Sequence, residues 1–355
     1  MSEPGRPDLP DGTEDAHLAA GARQPTIKTI AAAAGVGVGT VSRVLSGRGY
    51  VSLDTRAKVE EAVRELRYRP SAIGRGLKEQ RTKNIGLLVA DVSNSYYGDF
   101  AKGVLAEARH LDRHVIVGSS DDDAAAEREY VELFLEQRVE GIIAFPSSEN
   151  LGVWREAKEL GVNLVFADRV LDGLDVPSVV VDNHDGAYAL TEYLIVLGHR
   201  RIGYLGGPRE VSSGREREQG YRDAHADAGL EVVEELVVPS HFTRRNAFAN
   251  ALRILGAEPL PTALVASNNI LGEAAIGAVR HLGLDIPDDL SVVMFDDVPW
   301  ATLVTPPITV VTQPARRLGR EAARLVVRAA SAPGSVLVRT ELVVRSSAAP
   351  PRATA

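Results

Sequence analysis

The sequence predicts an N-terminal all-α helix-turn-helix headpiece followed by an α/β core of two doubly wound lobes. Three observations carry this. Near residue 84 short helical periodicities give way to apolar runs rich in Val, Ile and Leu. Those runs recur at roughly 25 to 30 residues and alternate with amphipathic segments, as in successive βα units of a parallel sheet. Charge is also split: thirteen Lys and Arg stand against five Asp and Glu between Arg23 and Lys83, in a chain of 355 residues whose net charge is −8. A basic small segment on an acidic large one is the asymmetry of a nucleic-acid-binding headpiece joined to a sensor.

The headpiece spans residues 25–70. In TIKTIAAAAG, Thr26 caps a helix whose Ile27, Ile30, Ala31 and Ala34 recur at helical spacing, and Gly35 ends it. A second helix starts almost at once in VGTVSRVLSG. Val41, Val44 and Leu45 form its apolar stripe, leaving Val38, Gly39, Thr40, Ser42 and Arg43 on the outer side. A third follows Ser52, with Val59, Ala62, Val63 and Leu66 inward, and Pro70 closes it. Three short helices, the first two joined by a tight glycine turn, are the helix-turn-helix pattern. Residues 71–83 read as a short basic linker helix.

The core is expected over residues 84–345. Its first lobe takes about 84–183 plus 313–342 and its second about 184–312. The first strand series is IGLLVA, VIVG, GIIAF, NLVFA and SVVV; the second is RIGYLG, ELVVPS, TALVAS, SVVMFDD and ITVVTQ. Open parallel sheets bind ligands beyond the carboxyl ends of their strands. Those ends read DVSNSYY, SSDDD, PSSEN and ADR in one lobe, and SHF, SNN and FDD in the other. Facing lobes would line a cleft with carboxylates and amides for hydroxyl groups and aromatic faces for a ring. Residues 1–24, rich in Pro, Gly and acid, and 346–355 read as disordered tails.

Several functional classes lose their signatures. GVGVG resembles a phosphate loop only without its flanks: a helix precedes it, Thr40 stands where the dinucleotide fingerprint needs glycine, and the P-loop lysine is missing. There is no GxSxG, so no enzyme activity is expected. The chain has no cysteine, and the close pair His110 and His114 lacks a third ligand; neither cofactor nor metal is expected. Asp296 and Asp297 read as a helix cap rather than a metal pair. No stretch approaches a membrane span and the N-terminus has no apolar signal core, so a cytoplasmic, nucleoid-associated location is expected. Arg217, in the charge-alternating run SSGREREQGY, would by itself be a solvated helix start.

From Thr26 to about Val344 the chain resembles a LacI/GalR-type bacterial transcriptional regulator. The resemblance is carried by TIKTIAAAAGVGVGTVSRVLSGRGYVSLDTRAKVEEAVRELRYRP, then RTKNIGLLVADVSNSYY, VVVDNHDGAYALTEYLIVLGHRRIGYLGGP, Arg217 to Tyr221, ASNN, MFDDVPWA and PPITVVTQP. It implies a core like the type I periplasmic binding proteins and a homodimer on a pseudo-palindromic double-stranded operator. It places Val38, Gly39 and Arg43 at base-reading positions and Thr40 and Ser42 at phosphate-contacting ones. Thr26, Ile27, Lys28, Ser46 and Tyr50 complete the DNA-facing set. Leu77 takes the hinge-helix position that wedges into the minor groove. Gly74 and Gly76 there each cost a helix up to about 1 kcal/mol, so the hinge is expected to order only on DNA.

The same resemblance places effector contacts at Tyr96, Tyr97, Asp168, Arg217, Phe242, Asn268, Asp296 and Gln313. Arg217 and Asp296 would bond sugar hydroxyls, with Phe242 or Tyr97 against the ring. All but Arg217 agree with the strand-end reading. The implied function is a repressor of carbohydrate uptake or utilisation genes, controlled allosterically by a sugar-like effector. The alternatives are a corepressor-dependent regulator sensing a purine or other metabolite, and a stand-alone sugar-binding protein. SSAAPPRATA has no leucine heptad, which favours a dimer over a tetramer.

Overall fold

The computed structural model describes residues 25–47, 49–68, 82–328 and 334–352. The leader of residues 1–24, Pro70, Leu77 and nearly all of the expected hinge segment lie outside them. The chain divides into two compact units, the headpiece and the core.

In the headpiece, α1 (Ile27–Ala34), α2 (Val38–Ser46) and α3 (Leu53–Glu65) pack around Ile30, Ala31, Val41, Val44, Val59 and Ala62, all buried. Each start has a local cause. Thr26 caps α1 by accepting from the Thr29 backbone N–H, and Ser52 caps α3 by accepting from that of Thr55. Gly35 ends α1 in the left-handed region at φ 64°, where a side chain would be strained. Gly37 then opens α2 from an extended conformation.

Among the described residues the core contains two six-stranded sheets. In the first lobe β1 (Asn84–Val89), α4 (Ser95–His110), β2 (His114–Ser119), α5 (Ala124–Glu136), β3 (Gly141–Ala144), α6 (Leu151–Glu159), β4 (Asn163–Ala167) and β5 (Ser178–Val181) alternate. The second lobe repeats the pattern: α7 (Asn183–Val196), β6 (Ile202–Gly206), α8 (Ser212–Asp227), β7 (Val237–Pro239), α9 (Arg244–Leu255), β8 (Ala263–Ala266), α10 (Asn269–His281), β9 (Ser291–Phe295) and β10 (Thr309–Thr312). The chain then returns to the first lobe as α11 (Ala315–Arg328) and β11 (Val336–Val338), and finishes in the second as β12 (Glu341–Val343). Strand order is β11-β5-β4-β3-β1-β2 in one sheet and β12-β10-β9-β8-β6-β7 in the other. Every pairing is parallel except β10 with β12. The order reverses beside β1 and β6, and the switch points of such sheets are where ligands sit. This is the architecture the sequence predicts, and all ten predicted strands are present.

Two expectations need correction. Residues 341–352 belong to the second lobe, not to the first or to a free tail. Short VLV and ELV segments carry too little periodicity to be read as strands, and their stability comes from pairing with β5 and β10. Beyond β12, Ser347 is fully buried, accepting from the Thr309 N–H at 2.8 Å. The carbonyl of Ala349 lies 2.9 Å from Nε2 of buried His199, and Arg352 reaches Asp289. A polar, proline-rich sequence looks disordered when its partners lie 38 to 150 residues away, so composition missed this strap. Among the described residues no single helix is long and apolar enough to cross a membrane.

Helix α11 is held on the first lobe by backbone approach. A Cβ on Gly319 would stand 2.1 Å from the Phe100 carbonyl oxygen, and one on Gly103 2.2 Å from that of Arg316. Glycine is required because neither backbone can retreat. Gly319→Ala is therefore expected to destabilise the core by about 1–3 kcal/mol or more, as overpacking does. Chemical denaturation checks this.

Candidate functional site

The outer face of α2 presents Val38, Gly39, Arg43 and Ser46 exposed, with Thr40 and Ser42 half-buried. Arg43 donates from Nε to the Gly39 carbonyl at 3.3 Å. Its aliphatic stem lies along Gly49, where a Cβ would meet the arginine Cδ at 3.4 Å. The arginine is thus steered along the helix face, with its Nη groups free of partners among the described residues. Lys28 and Thr26 are exposed on α1, and Tyr50 is 91% exposed before α3. Ile27 is half-buried against the headpiece core, so part of its role is packing. The Thr26 hydroxyl is engaged with Thr29 at 3.0 Å.

The second site lies between the lobes. Arg217 on α8 is only 4% exposed. It donates from Nε to Asn183 Oδ1 at 2.8 Å, from Nη1 to the Ser267 carbonyl at 2.7 Å, and from Nη2 to Asp168 Oδ1 at 3.3 Å on the opposite lobe. Its guanidinium also sits 4.0 Å above the Phe295 ring. The sequence read by itself made this a solvated helix start; burial against the facing sheet edge reverses that. Asp296, just past β9, accepts from the Asn269 backbone N–H at 3.1 Å, from Asn269 Nδ2 at 3.0 Å and from Gln313 Nε2 at 2.5 Å. Burial raises its pKa above the usual carboxylate range, opposed by the positive charge of Arg217. Tyr96 donates its hydroxyl to Gln313 Oε1 at 3.3 Å.

Both Asp168 and Asp296 have left-handed backbones, at φ 61° and 77°. These conformations turn the chain at a strand end, in a region that aspartate enters more readily than most side chains. Asn268 caps α10, its Oδ1 accepting from the Leu271 N–H at 2.9 Å. Phe242 lies under the guanidinium of Arg169, 5.5 Å from ring centroid to Cζ. Tyr97 packs edge-on to Phe145 at 4.8 Å. Of the two aromatics, Phe242 therefore carries the inter-lobe face, and Tyr97 is mainly an apolar wall. Further bridges between lobes run from the Val170 N–H to Ser212 Oγ at 2.9 Å and from Arg215 to Asp172 at 2.9 Å. A recess of about 320 Å³ bordered by Tyr96, Asp296 and Gln313 opens beside this network. Among the described residues no cluster fits a metal ion.

Comparison with known proteins bears on both sites. Residues 26–71 match the model of bacterial regulatory proteins of the lacI family, and residues 191–348 match a periplasmic binding protein-like domain. The chain is 33% identical over 334 residues to the HTH-type transcriptional regulator DegA of Bacillus subtilis, covering 92% of this chain and 98% of that one. The chain belongs to the LacI family of bacterial regulatory proteins. Its function is accordingly that of a DNA-binding transcriptional regulator. Two solved LacI-family structures align along nearly their whole length. A complex of the regulator CelR with cellobiose is 32% identical, covering 91% of this chain and 99% of that one, with a TM-score of 0.70. The Lac repressor dimer bound to operator and an anti-inducer is 26% identical, covering 92% and 100%, with a TM-score of 0.79.

All eight effector positions expected from the family lie at the carboxyl ends of strands or on the helices that follow, on the facing edges of the two lobes. Five buried neighbours were not singled out by sequence. Arg169 is 3% exposed, paired with Asp122, and its Nε has no hydrogen-bond partner among the described residues. Asn94, Asn183, Asn269 and Phe295 complete the polar lining and its floor. The run ADR contained Arg169, DVSNSYY contained Asn94 and SNN contained Asn269, so a signal existed. Asn183 stands two residues beyond SVVV, in VVVDNHDG, but only folding brings it to Arg217.

The DNA-facing surface carries one testable peculiarity. Among the described residues nothing lies within 4 Å of a Cβ placed on Gly39. Gly39→Ala is expected to stabilise the isolated headpiece by up to about 1 kcal/mol through helix propensity. If Gly39 takes the base-reading position that the family resemblance implies, operator affinity is expected to fall, since a methyl group there would oppose close backbone approach. Melting and operator titration of the variant check the two arms.

Proposed function

We propose that this LacI-family regulator is a dimeric repressor of carbohydrate uptake or utilisation genes whose operator affinity is lowered by a sugar-like effector held between the core lobes. The observation that carries the reading is the buried Arg217, which joins Asp168 of one lobe to Asn183 and Ser267 of the other within a lining of carboxylates, amides and aromatic rings. A buried charged group at a lobe boundary is a poor choice for stability alone. It suits a ligand whose hydroxyls replace its partners and thereby alter lobe geometry. CelR, 32% identical to this chain, is solved in complex with cellobiose. That supports a carbohydrate here without naming one.

On the DNA side, Arg43 supplies a fork of donors for a guanine edge, and Thr40 and Ser42 supply hydroxyls for phosphates. Val38 offers only methyl contact and Gly39 only backbone approach. Specificity at those base pairs then rests on shape and on thymine methyls rather than on hydrogen bonds.

The test is a thermal-shift screen of the full chain over monosaccharides, cellobiose and other disaccharides, sugar phosphates and purines. Ligand at a hundredfold excess over Kd stabilises the native state by about 2.7 kcal/mol. A sugar that both raises the melting temperature and releases operator supports the reading. A purine as the one stabilising ligand, or a sugar that tightens operator binding, overturns it.

A further inference from the structure

We propose that Asn269 is a positioning residue: its side-chain amide fixes the Asp296 carboxylate toward the cleft and ties that carboxylate to the opposite lobe through Asn94. The inference rests on the reading of the cleft as an effector site, and concerns a residue that does not itself need to touch the effector.

The geometry leaves little choice of side chain. Asn269 is 2% exposed at the first position of α10. Its Nδ2 donates to Asp296 Oδ2 at 3.0 Å and to Asn94 Oδ1 at 3.1 Å, while its backbone N–H donates to the same Asp296 oxygen at 3.1 Å. Both Nδ2 hydrogens are therefore committed, and both acceptors are unambiguous. Asp296 is a carboxylate, and Asn94 Oδ1 is identified as oxygen because it also accepts from the Tyr96 backbone N–H at 3.0 Å. A primary amide is the compact neutral group with two donors on one atom. Aspartate at 269 lacks them and would add a negative charge about 3 Å from another, and alanine would leave two buried acceptors short.

The contact also has a direction of action. Asn94 caps α4 of the first lobe, whereas Asn269 and Asp296 belong to the second. The far side of Asp296 is bonded by Gln313, which in turn receives the Tyr96 hydroxyl from the first lobe. Asp296 is thus held between two inter-lobe arms. An effector that takes up a hydroxyl contact to Asp296 acts on a group whose orientation already depends on lobe closure. Binding at the carboxylate and the relation of the lobes become one equilibrium.

The charged and titratable groups around Asp296 are Arg217 from α8, Asp168 beyond β4, and Tyr96 and Tyr97 from α4. Two variants and two readouts test the assignment. The first readout needs no effector: carbon-13 NMR titration of the Asp296 carboxyl, assigned with Asp296→Asn. Asn269→Ala should raise the Asp296 pKa, since the Nδ2 donor to the charged form is removed while the backbone N–H stays. An unchanged titration overturns the inference.

The second readout is calorimetric affinity for the sugar found by the screen. Asn269→Ala should weaken it about tenfold or more at every pH, the loss expected for a charge-assisted hydrogen bond. Asn269→Asp should weaken it at about pH 8.5 and recover toward about pH 5.5, because two adjacent carboxyls retain a shared proton that restores one donor. A packing role alone would give no such pH dependence, and wild-type affinity in both variants overturns the proposal. If wild type binds no sugar, the effector reading fails, and the Asp296 titration still decides the role of Asn269. If Asn269→Asp does not fold, Asn269→Ala carries the test, since alanine is favoured in a helix.

Discussion

Arg217→Ala is expected to abolish the effector response while the protein still recognises its operator. The side chain is 4% exposed and spends its guanidinium on Asn183, the Ser267 carbonyl and Asp168. Its removal strips the cleft of its central cation and leaves Asp168 buried without its ionic partner. Breaking one side of such a pair costs about 3–5 kcal/mol. The core should therefore melt earlier, and sugar affinity should fall by at least about a hundredfold, the equivalent of two charge-assisted hydrogen bonds. Arg217→Lys is expected to rescue stability in part and affinity hardly at all. A single ammonium cannot span three acceptors set at guanidinium geometry. Isothermal calorimetry and operator release measure the two arms. Full effector response in Arg217→Ala would remove the cleft from the proposed mechanism.

Arg43→Ala should do the reverse. Arg43 makes one intrahelical bond to Gly39 and rests its stem on Gly49, and it contributes nothing to the buried set of the headpiece. Headpiece stability is expected to change by less than about 0.5 kcal/mol, as for ordinary surface substitutions. Losing a bidentate contact to a base edge costs about 1–3 kcal/mol in each half-site of a dimer. The ratio of specific to non-specific binding should collapse accordingly, while sugar binding is retained. Titrations at several salt concentrations separate the terms. Both variant and wild type should weaken steeply with salt, because phosphate neutralisation releases counterions. Equal loss of operator and effector binding in Arg43→Ala would point to misfolding and refute the assignment.

The legible parts of the site are those whose signal is local. Val41 and Val44 mark the buried stripe of α2 by their spacing, which places Arg43 on the opposite face. Asp168 and Asp296 each stand immediately after an apolar run and Asn268 one residue beyond one, and strands end where such runs end. Arg217 fails that test because it sits within a helix, in a run whose charges look solvated. Its burial depends on which lobe edge α8 faces. Asn269 shares the run SNN with Asn268, and its importance lies in contacts to Asn94 and Asp296, 175 and 27 residues away. The strap at 346–352 failed likewise, since its partners His199, Ser291 and Thr309 are distant in sequence.

By itself, then, the sequence determined the helix-turn-helix headpiece, the ten parallel strands and the strand-end character of the cleft. These follow from periodicity, capping and turn chemistry, which act over a few residues. The tertiary structure decided the third passage of the chain between lobes at residues 339–340, the strap on the second lobe, the burial of Arg217 and the amide link through Asn269. Each of those is a pairing between distant segments. Hydrogen-bond partners and desolvation of a charge are set by what the fold brings opposite a residue, and no local pattern encodes that.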